Sequence, residues 1–454
     1  VTTVFEPGAR VHIVGVGGAG MSGLARLLAE LGCRVSGSDS HKSPALDELR
    51  AAGVEVHLGH DRTFGAASDV VLWSPAVGPD NVELATARLR GATLLTRAEV
   101  LAELGRLSDV IGLTGTHGKT TATSMMVHVL HAAGRDDSRL LGAPVTGVGA
   151  NGHWGTDSLV LEVDESYGTF SLLEPSALGL LNVEADHLDH YGSLDALEAA
   201  FAALARRTTG PVVAWVDDPG VRRVARLAER EFVTVGTDQD ATWRVSKVVL
   251  ARRSASFDLD GPDGHLVLEL NVIGAHNVAN AAVVAVLAWS LGVDPKAIRT
   301  GLAAFQGAPR RFEFLGQWRG VDVYEDYAHL PGEIIATLAA TRTAGYSRIT
   351  CVFQPHRVTR TTNLAEAFAT AFGGADHLVV SDIYSAGEPN PTGVTGELIV
   401  AGVARHSSTS TTYAASFEEV LAVLEPLHDV SDVVLFLGAG DIATVAARLS
   451  GGLV

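Results

Sequence analysis

A chain of 454 residues with 47% hydrophobic residues can bury several cores, and at about 150 residues per domain it points to roughly three. Its formal net charge of −18 argues against nucleic acid or an anionic membrane as partner over most of the surface, so an anionic ligand needs a local cluster of positive charge. Two distant cysteines, Cys33 and Cys351, give neither a disulfide framework nor zinc spacing; no apolar run approaches the roughly 20 residues that span a bilayer, and residues 1–10 lack the apolar centre of a signal peptide, so a cytoplasmic protein without membrane insertion is expected.

Residues 1–107 read as a Rossmann-like domain. Val11-His12-Ile13-Val14-Gly15-Val16 reads as a buried parallel strand, and Met21, Leu24, Ala25, Leu28 and Leu31 follow at helical spacing. Gly15, Gly17, Gly18 and Gly20 lie between them, and a second strand, from Arg34, ends in Asp39. Val70-Val71-Leu72-Trp73-Ser74 is a third strand. Glycines between strand and helix place a diphosphate on the helix N-terminus, with the acid some 20 residues later on a ribose hydroxyl. NAD, FAD and a UDP-sugar all meet that description, so a nicotinamide-dependent oxidoreductase is one reading of this loop.

Residues 108–308 read as a P-loop-type domain. Thr114-Gly115-Thr116-His117-Gly118-Lys119-Thr120-Thr121 follows the apolar run Val110-Ile111-Gly112-Leu113 and opens a helical stretch. Glycines admit phosphate oxygens to backbone N–H groups, Lys119 reaches the β- and γ-phosphates, and the Thr120 hydroxyl suits Mg²⁺. The general pattern wants a glycine at position 113, where this chain has Leu113. Glu162-Val163-Asp164-Glu165-Ser166 ends a strand at the ligand edge of the sheet, where an acid either completes a Mg²⁺ site or caps a helix. His187 stands among acids past the next strand, able to ligate a cation or to cap. Residues 243–272 alternate around the turn Gly261-Pro262-Asp263-Gly264, an antiparallel patch on a mostly parallel sheet. An alanine-rich helix is expected from Ala279, where Asn280 offers donor and acceptor for an adenine edge and Asn277 a helix cap.

Residues 309–454 read as a second Rossmann-like domain, with strands at residues 349–353, 377–381 and 433–437. Residues 407–412, rich in Ser and Thr, read as a loop. Arg310 and Arg311 sit at the junction, where paired arginines meet phosphates or form a solvated linker. Asp326 and His329 follow one strand, and His356, Arg357 and Arg360 another. Arg357 and Arg360, three apart, share a face if helical and suit a carboxylate or phosphate.

Taken together, these motifs resemble the Mur ligase family along the whole chain: G-V-G-G-A-G-M-S-G from Gly15, G-T-H-G-K-T-T from Gly115, E-V-D-E-S from Glu162, N-V-E-A-D-H-L-D-H-Y from Asn182, G-A-H-N-V-A-N from Gly274, R-R-F-E from Arg310, D-Y-A-H from Asp326 and F-Q-P-H-R-V-T-R from Phe353. The opening motif with Met21-Ser22-Gly23 is similar to the branch that adds L-alanine to UDP-N-acetylmuramate. The resemblance implies an α/β protein of three domains, with ATP as co-substrate and Mg²⁺ (Mn²⁺ as a substitute) as metal. Gly115, Thr116, His117, Gly118, Lys119, Thr120 and Thr121 would hold the ATP phosphates, Asn280 adenine, and Arg311 and Asp326 would close on ATP. Thr120, Glu162 and His187 would be metal ligands. Gly15, Gly17, Gly18, Gly20, Met21, Ser22 and Asp39 would bind the UDP part of the substrate, and His329, His356, Arg357 and Arg360 would face the muramate carboxylate or the amino acid. Lys119, His187, Arg311 and His356 would be the catalytic set. The chain departs from the family pattern at Tyr167, Glu325 and Leu330, where an acid, an acid of different length and a histidine are usual. A ligase adding a peptide or another amino acid, a non-catalytic sugar-nucleotide sensor and an oxidoreductase are the competing readings; the oligomeric state, monomer or dimer, is left open.

Overall fold

The computed structural model describes residues 3–73, 77–78 and 80–451. Three sheets organise them. The first contains β1 (Arg10–Val14), β2 (Arg34–Asp39), β3 (Glu55–Leu58), β4 (Val70–Trp73) and β5 (Thr93–Thr96), ordered β3-β2-β1-β4-β5 and parallel throughout. Residues 11–14 are buried because β1 is covered on both faces, and His12, polar among apolar neighbours, is satisfied there by Ser36 and Glu83. The order reverses at β1, so the Gly15 loop opens at a topological switch point, where such sheets bind ligands. The expected strand at residues 70–74 ends at Trp73, and Ser74 lies outside the described residues. The four-residue strands β3 and β5 carry no periodicity long enough to be read beforehand.

The second sheet has ten strands: β6 (Val110–Thr114), β7 (Ser138–Leu140), β8 (Gly152–His153), β9 (Leu159–Val163), β10 (Ala177–Leu180), β11 (Val212–Trp215), β12 (Val233–Gly236), β13 (Trp243–Leu250), β14 (Ala255–Gly261) and β15 (Gly264–Leu270). Their order is β15-β14-β13-β12-β11-β10-β6-β9-β7-β8. Fully buried β6 lies between β9 and β10, parallel to both, and the helix Lys119–Ala132 leaves its carboxyl end. The two residues joining β14 to β15 permit only a reversal of direction, as the antiparallel patch requires. The alanine-rich helix begins earlier than expected, spanning Ala275–Ser290. Asn277 and Asn280 are therefore both inside it and buried, which removes the capping role for Asn277.

The third sheet is ordered β16-β17-β21-β18-β19-β20 and comprises β16 (Glu313–Trp318), β17 (Val321–Asp326), β18 (Ile349–Phe353), β19 (His377–Ser381), β20 (Ser410–Ala414) and β21 (Val433–Leu437). All its pairings are parallel except β16 with β17. The loop expected over residues 407–412 is corrected: Ser410, Thr411 and Thr412 open β20, paired with β19. β-branched threonines suit a sheet-edge strand, and that outweighs the polar composition.

The chain divides into two compact units: residues 1–248, 256–270 and 276–305 form the first, and 249–255, 271–275 and 306–454 the second. The first unit thus holds the first sheet and most of the second. Within it the helix Ala19–Glu30 packs on β8 so closely that a side chain at Gly152 would collide with the Gly23 carbonyl. His153 completes the junction, its ring nitrogens 2.8 Å from Glu30 Oε2 and 2.8 Å from Asp136 Oδ1.

Candidate active site

The Gly115 loop is shaped by two left-handed glycines, Gly115 (φ 146°) and Gly118 (φ 81°). A Cβ at Gly115 would lie 2.9 Å from the Asn182 carbonyl, and one at Gly118 would lie 2.9 Å from Asn280 Oδ1, so both positions need the missing side chain. Asn182 clamps the loop from both sides: its Oδ1 accepts from His117 N at 2.7 Å and its Nδ2 donates to His117 O at 3.0 Å. Thr116 Oγ1 accepts from Glu184 N at 2.9 Å, while the exposed His117 ring stands 3.6 Å from Glu184. Lys119, Thr120 and Thr121 form the first turn of the helix Lys119–Ala132. Asn280, 5% exposed, sits directly behind Gly118.

Lys119 lies folded onto its own loop. Its Nζ donates to Gly115 O (2.8 Å), Thr116 O (3.1 Å) and both oxygens of Glu165 (3.1 and 2.8 Å). Glu165 is fully buried, and burial lifts its carboxyl above the usual range against the pull of Lys119. Burial also works against charge on Asp164, yet Lys119, Ser166 and Arg97 together leave that acid below its ordinary value. Thr120 Oγ1 donates to Glu162 Oε1 at 2.9 Å, and the second oxygen of Glu162 accepts from Gly142 N.

His187, in a left-handed conformation (φ 50°), is grouped with Asp164 and Glu165: one donor atom of each lies within 4.8 Å of the others. Of the expected metal set, Thr120 and Glu162 therefore touch each other, while His187 stands with two acids that the expected set did not contain. Carboxylates, a hydroxyl and one imidazole are a donor set that suits Mg²⁺ or Mn²⁺.

At the Gly15 loop (Gly15 φ 82°), the N–H groups of Gly15 and Val16 both donate to Ser38 O, and Gly18 N donates to Gly15 O. Asp39 closes the loop, with one oxygen accepting from Gly17 N (2.9 Å) and the other from His41 N (3.0 Å). A Cβ at Gly17 would lie 2.9 Å from that carboxylate. Ser22 is buried in the helix that follows. The side chain of Met21, expected among the substrate contacts, packs in the apolar core of the unit.

In the second unit, Arg310 (φ 59°) and Phe312 (φ 50°) bracket Arg311 with left-handed backbone. Asp326 holds that bend, one oxygen accepting from Phe312 N and the other from Ala328 N, both at 2.7 Å. Burial pushes the Asp326 carboxyl up to about 6. Both guanidinium groups lie over the Tyr327 ring, Arg310 at 5.0 Å and Arg311 at 5.3 Å, but Arg310 also binds Glu325 at 2.7 Å and the carbonyls of Gly438 and Gly440. The two arginines are thus unequal in the hydrogen bonds that tie Arg310 to the fold. Glu325, the acid of altered length, is the one that fixes Arg310.

His356 lies 3.1 Å from Arg360 Nη1, stacks on Tyr384 at 5.6 Å and has the His329 ring 5.9 Å away. Burial, with Arg360, His329 and Arg357 beside it, lowers the His356 imidazole to about 4. The condition under which Arg357 and Arg360 would share a helical face is not met. Arg357 (φ 70°) precedes the short helix Val358–Asn363 and lies 3.8 Å from Glu388, so only Arg360 is helical. Leu330 stands at the N-cap of the helix Pro331–Thr343, its N–H donating to Glu333. The Tyr167 side chain lies outside the described residues.

Asn182, Asp164, Glu165 and Tyr384 were absent from the expected site. Asn182 and the two acids lay inside motifs already singled out. Tyr384 follows β19 with no local signal, and only the tertiary fold brings it to His356.

Comparison with known proteins covers nearly the whole chain. The description "Mur ligase family, catalytic domain" matches residues 10–108, "Mur ligase middle domain" residues 113–288 and "Mur ligase, glutamate ligase domain" residues 310–440. The chain is 39% identical to the UDP-N-acetylmuramate–L-alanine ligase of Myxococcus xanthus, covering 97% of this chain and 94% of that protein. It is 41% identical to the enzyme of the same name from Thermobifida fusca, covering 97% and 96%. The crystal structure of the UDP-N-acetylmuramate–alanine ligase of Thermotoga maritima superposes with a TM-score of 0.82 at 29% identity, over 97% of this chain and 98% of that one.

Proposed function

The chain belongs to the Mur ligase family, and from that membership we propose that it is the ATP-dependent ligase joining L-alanine to the carboxylate of UDP-N-acetylmuramate in peptidoglycan synthesis. The observation that carries the reading is the gathering of Lys119, Thr120, Glu162, Glu165 and His187 around one glycine loop at a helix N-terminus. A carboxylate is a poor acyl donor because its oxygen is a poor leaving group. Attack of a carboxylate oxygen on the γ-phosphorus of ATP expels ADP and makes an acyl phosphate. The amine of L-alanine then adds to the acyl carbon, phosphate leaves, and the ammonium proton is lost as the amide forms.

Both steps gather negative charge between anions, so fixed cations contribute most. Lys119 exchanges Glu165 and its loop carbonyls for the transferring phosphoryl group. Thr120, Glu162 and His187 would hold Mg²⁺, which supplies further neutralisation of the phosphates. Arg311, steadied by Asp326, would add charge on the ATP phosphates, with Asn280 at the adenine end. His329, His356, Arg357 and Arg360 would hold the muramate carboxylate or L-alanine. His356, neutral at pH 7, accepts from Arg360 at Nδ1 and so carries its proton on Nε2, a donor. Gly15, Gly17, Gly18, Gly20, Ser22 and Asp39 would hold the UDP portion. A three-domain division at residues 107 and 308 and a cytoplasmic location belong to the same reading, the latter in keeping with two free, buried cysteines.

The test is phosphate release by purified protein with ATP, Mg²⁺, UDP-N-acetylmuramate and a panel of amino acids and a tripeptide, read by product mass. Phosphate release that needs the sugar nucleotide and L-alanine together supports the reading. Turnover indifferent to the sugar nucleotide would sink it, and preference for the tripeptide would move it to a peptide-adding ligase.

A further inference from the structure

Arg97 opens the helix Arg97–Gly105, directly after β5. Thr96 and Glu99 form a capping box there, which fixes the first turn and with it the start of the Arg97 side chain. The guanidinium reaches the Gly15 loop. A Cβ at Gly20 would lie 2.7 Å from Arg97 Nη1 and 3.0 Å from its Cζ, so the space beside Gly20 is occupied by this cation. The Nε atom is buried and has no hydrogen-bond partner, and among the described residues no carboxylate forms an ion pair with Arg97. Asp164 feels its charge from a distance.

That placement is unfavourable for a protein without ligand. Gly20 lies in the first turn of the helix Ala19–Glu30, whose N-terminus already carries positive potential, and that turn contains no acid. A guanidinium at this end sets like against like, and a buried donor without a partner adds a cost of its own. The like-charge condition is relieved by an anion lying beside the guanidinium at the helix N-terminus. Arginine in such a place binds phosphate or carboxylate oxygens through two of its donors.

We propose that Arg97 binds an anionic oxygen of the sugar nucleotide over Gly20, and that it is the cation the Gly15 loop lacks in its own sequence. The inference rests on the reading of that loop as the sugar-nucleotide site.

The test compares wild type with Arg97→Met, Arg97→Gln and Arg97→Lys. Binding of UDP-N-acetylmuramate is measured by calorimetry without ATP, alongside steady-state kinetics and thermal unfolding with and without that ligand. The expected result is a 10- to 100-fold loss of sugar-nucleotide affinity in Met and Gln, partial recovery in Lys, an unchanged KM for ATP and a shallower salt dependence of binding. Unfolding of the ligand-free Met and Gln variants occurs at the same temperature or higher, because an unfavourable charge has gone, while the stabilisation by ligand shrinks. A lower ligand-free unfolding temperature with undiminished ligand stabilisation would make Arg97 a packing residue and overturn the inference. Should Met not fold, Gln and Lys decide the matter by the same criteria; if those variants do not fold either, Arg97 is structural and the inference falls. Failure of the wild type to bind UDP-N-acetylmuramate would instead strike the underlying reading of the loop.

Discussion

Two loops in the first unit are built alike and equipped differently. Each leaves a buried central strand, turns on a left-handed glycine (Gly15 φ 82°, Gly118 φ 81°) and enters a helix. The Gly115 loop carries its own lysine and is ringed by Glu162, Asp164 and Glu165. The Gly15 loop carries no cation in its own sequence, and Asp39 beside it is engaged with Gly17 N and His41 N. A phosphate that is transferred changes its charge distribution during the reaction and calls for a cation and metal ligands fixed in advance. A diphosphate that is merely held needs only dipoles and a counter-charge, and the counter-charge can come from elsewhere in the fold.

Three measurements press on that contrast. Lys119→Ala should lower kcat by about 10²- to 10³-fold, while calorimetry finds the affinity for UDP-N-acetylmuramate unchanged; a parallel loss of sugar-nucleotide binding would mean that the loops do not act separately. Asn182→Ala removes both bonds that clamp His117. At about 1–3 kcal/mol for the groups left unpaired, it should raise KM for ATP by roughly tenfold and leave the sugar-nucleotide KM alone.

The smallest effect concerns the second unit, whose cations belong to neither loop. The His356 imidazole titrates near 4 in the folded protein, below its ordinary 6.5. The unfolded chain therefore binds the proton first, and stability falls as the pH drops below 6.5 and on through 4. His356→Gln should flatten that acid limb slightly in denaturant titrations between pH 6.5 and 4. An NMR titration showing His356 protonated at pH 6 would contradict the burial and the arginines around it.

The legible parts of the site were those in which one short segment supplies both backbone shape and chemistry. Residues 114–121 contain strand end, glycines, lysine and hydroxyl together, and Glu162 stands at a strand end where an acid has a reason to be. Side chains arriving from far along the chain were hidden: Arg97 at Gly20 and Tyr384 at His356 have no local pattern that tells them from ordinary surface residues. Met21 carries two signals at once, since it belongs to a glycine motif while its helical spacing with Leu24 and Leu28 marks the core position it occupies. In the fold, long apolar runs gave the central strands of all three sheets. The short strands β3 and β5 and the Ser/Thr-rich β20 depend on their neighbours for pairing, and composition alone does not record a neighbour.

The junction of Gly23 with Gly152 bears on how ligases of this kind could be recombined. The first sheet and its glycine loop look like a detachable cassette, so a chimaera that exchanges residues 1–107 is the natural design for changing the nucleotide portion of the substrate. The helix Ala19–Glu30 in that cassette is fitted to residues 151–153: Gly23 has room for no side chain beside Asn151 and Leu140, Gly152 has none beside Gly23, and Glu30 is bound to His153 and to the Trp154 N–H. The unit of exchange is therefore discontinuous in sequence, and a viable graft carries the β7–β8 ribbon along with the segment it serves.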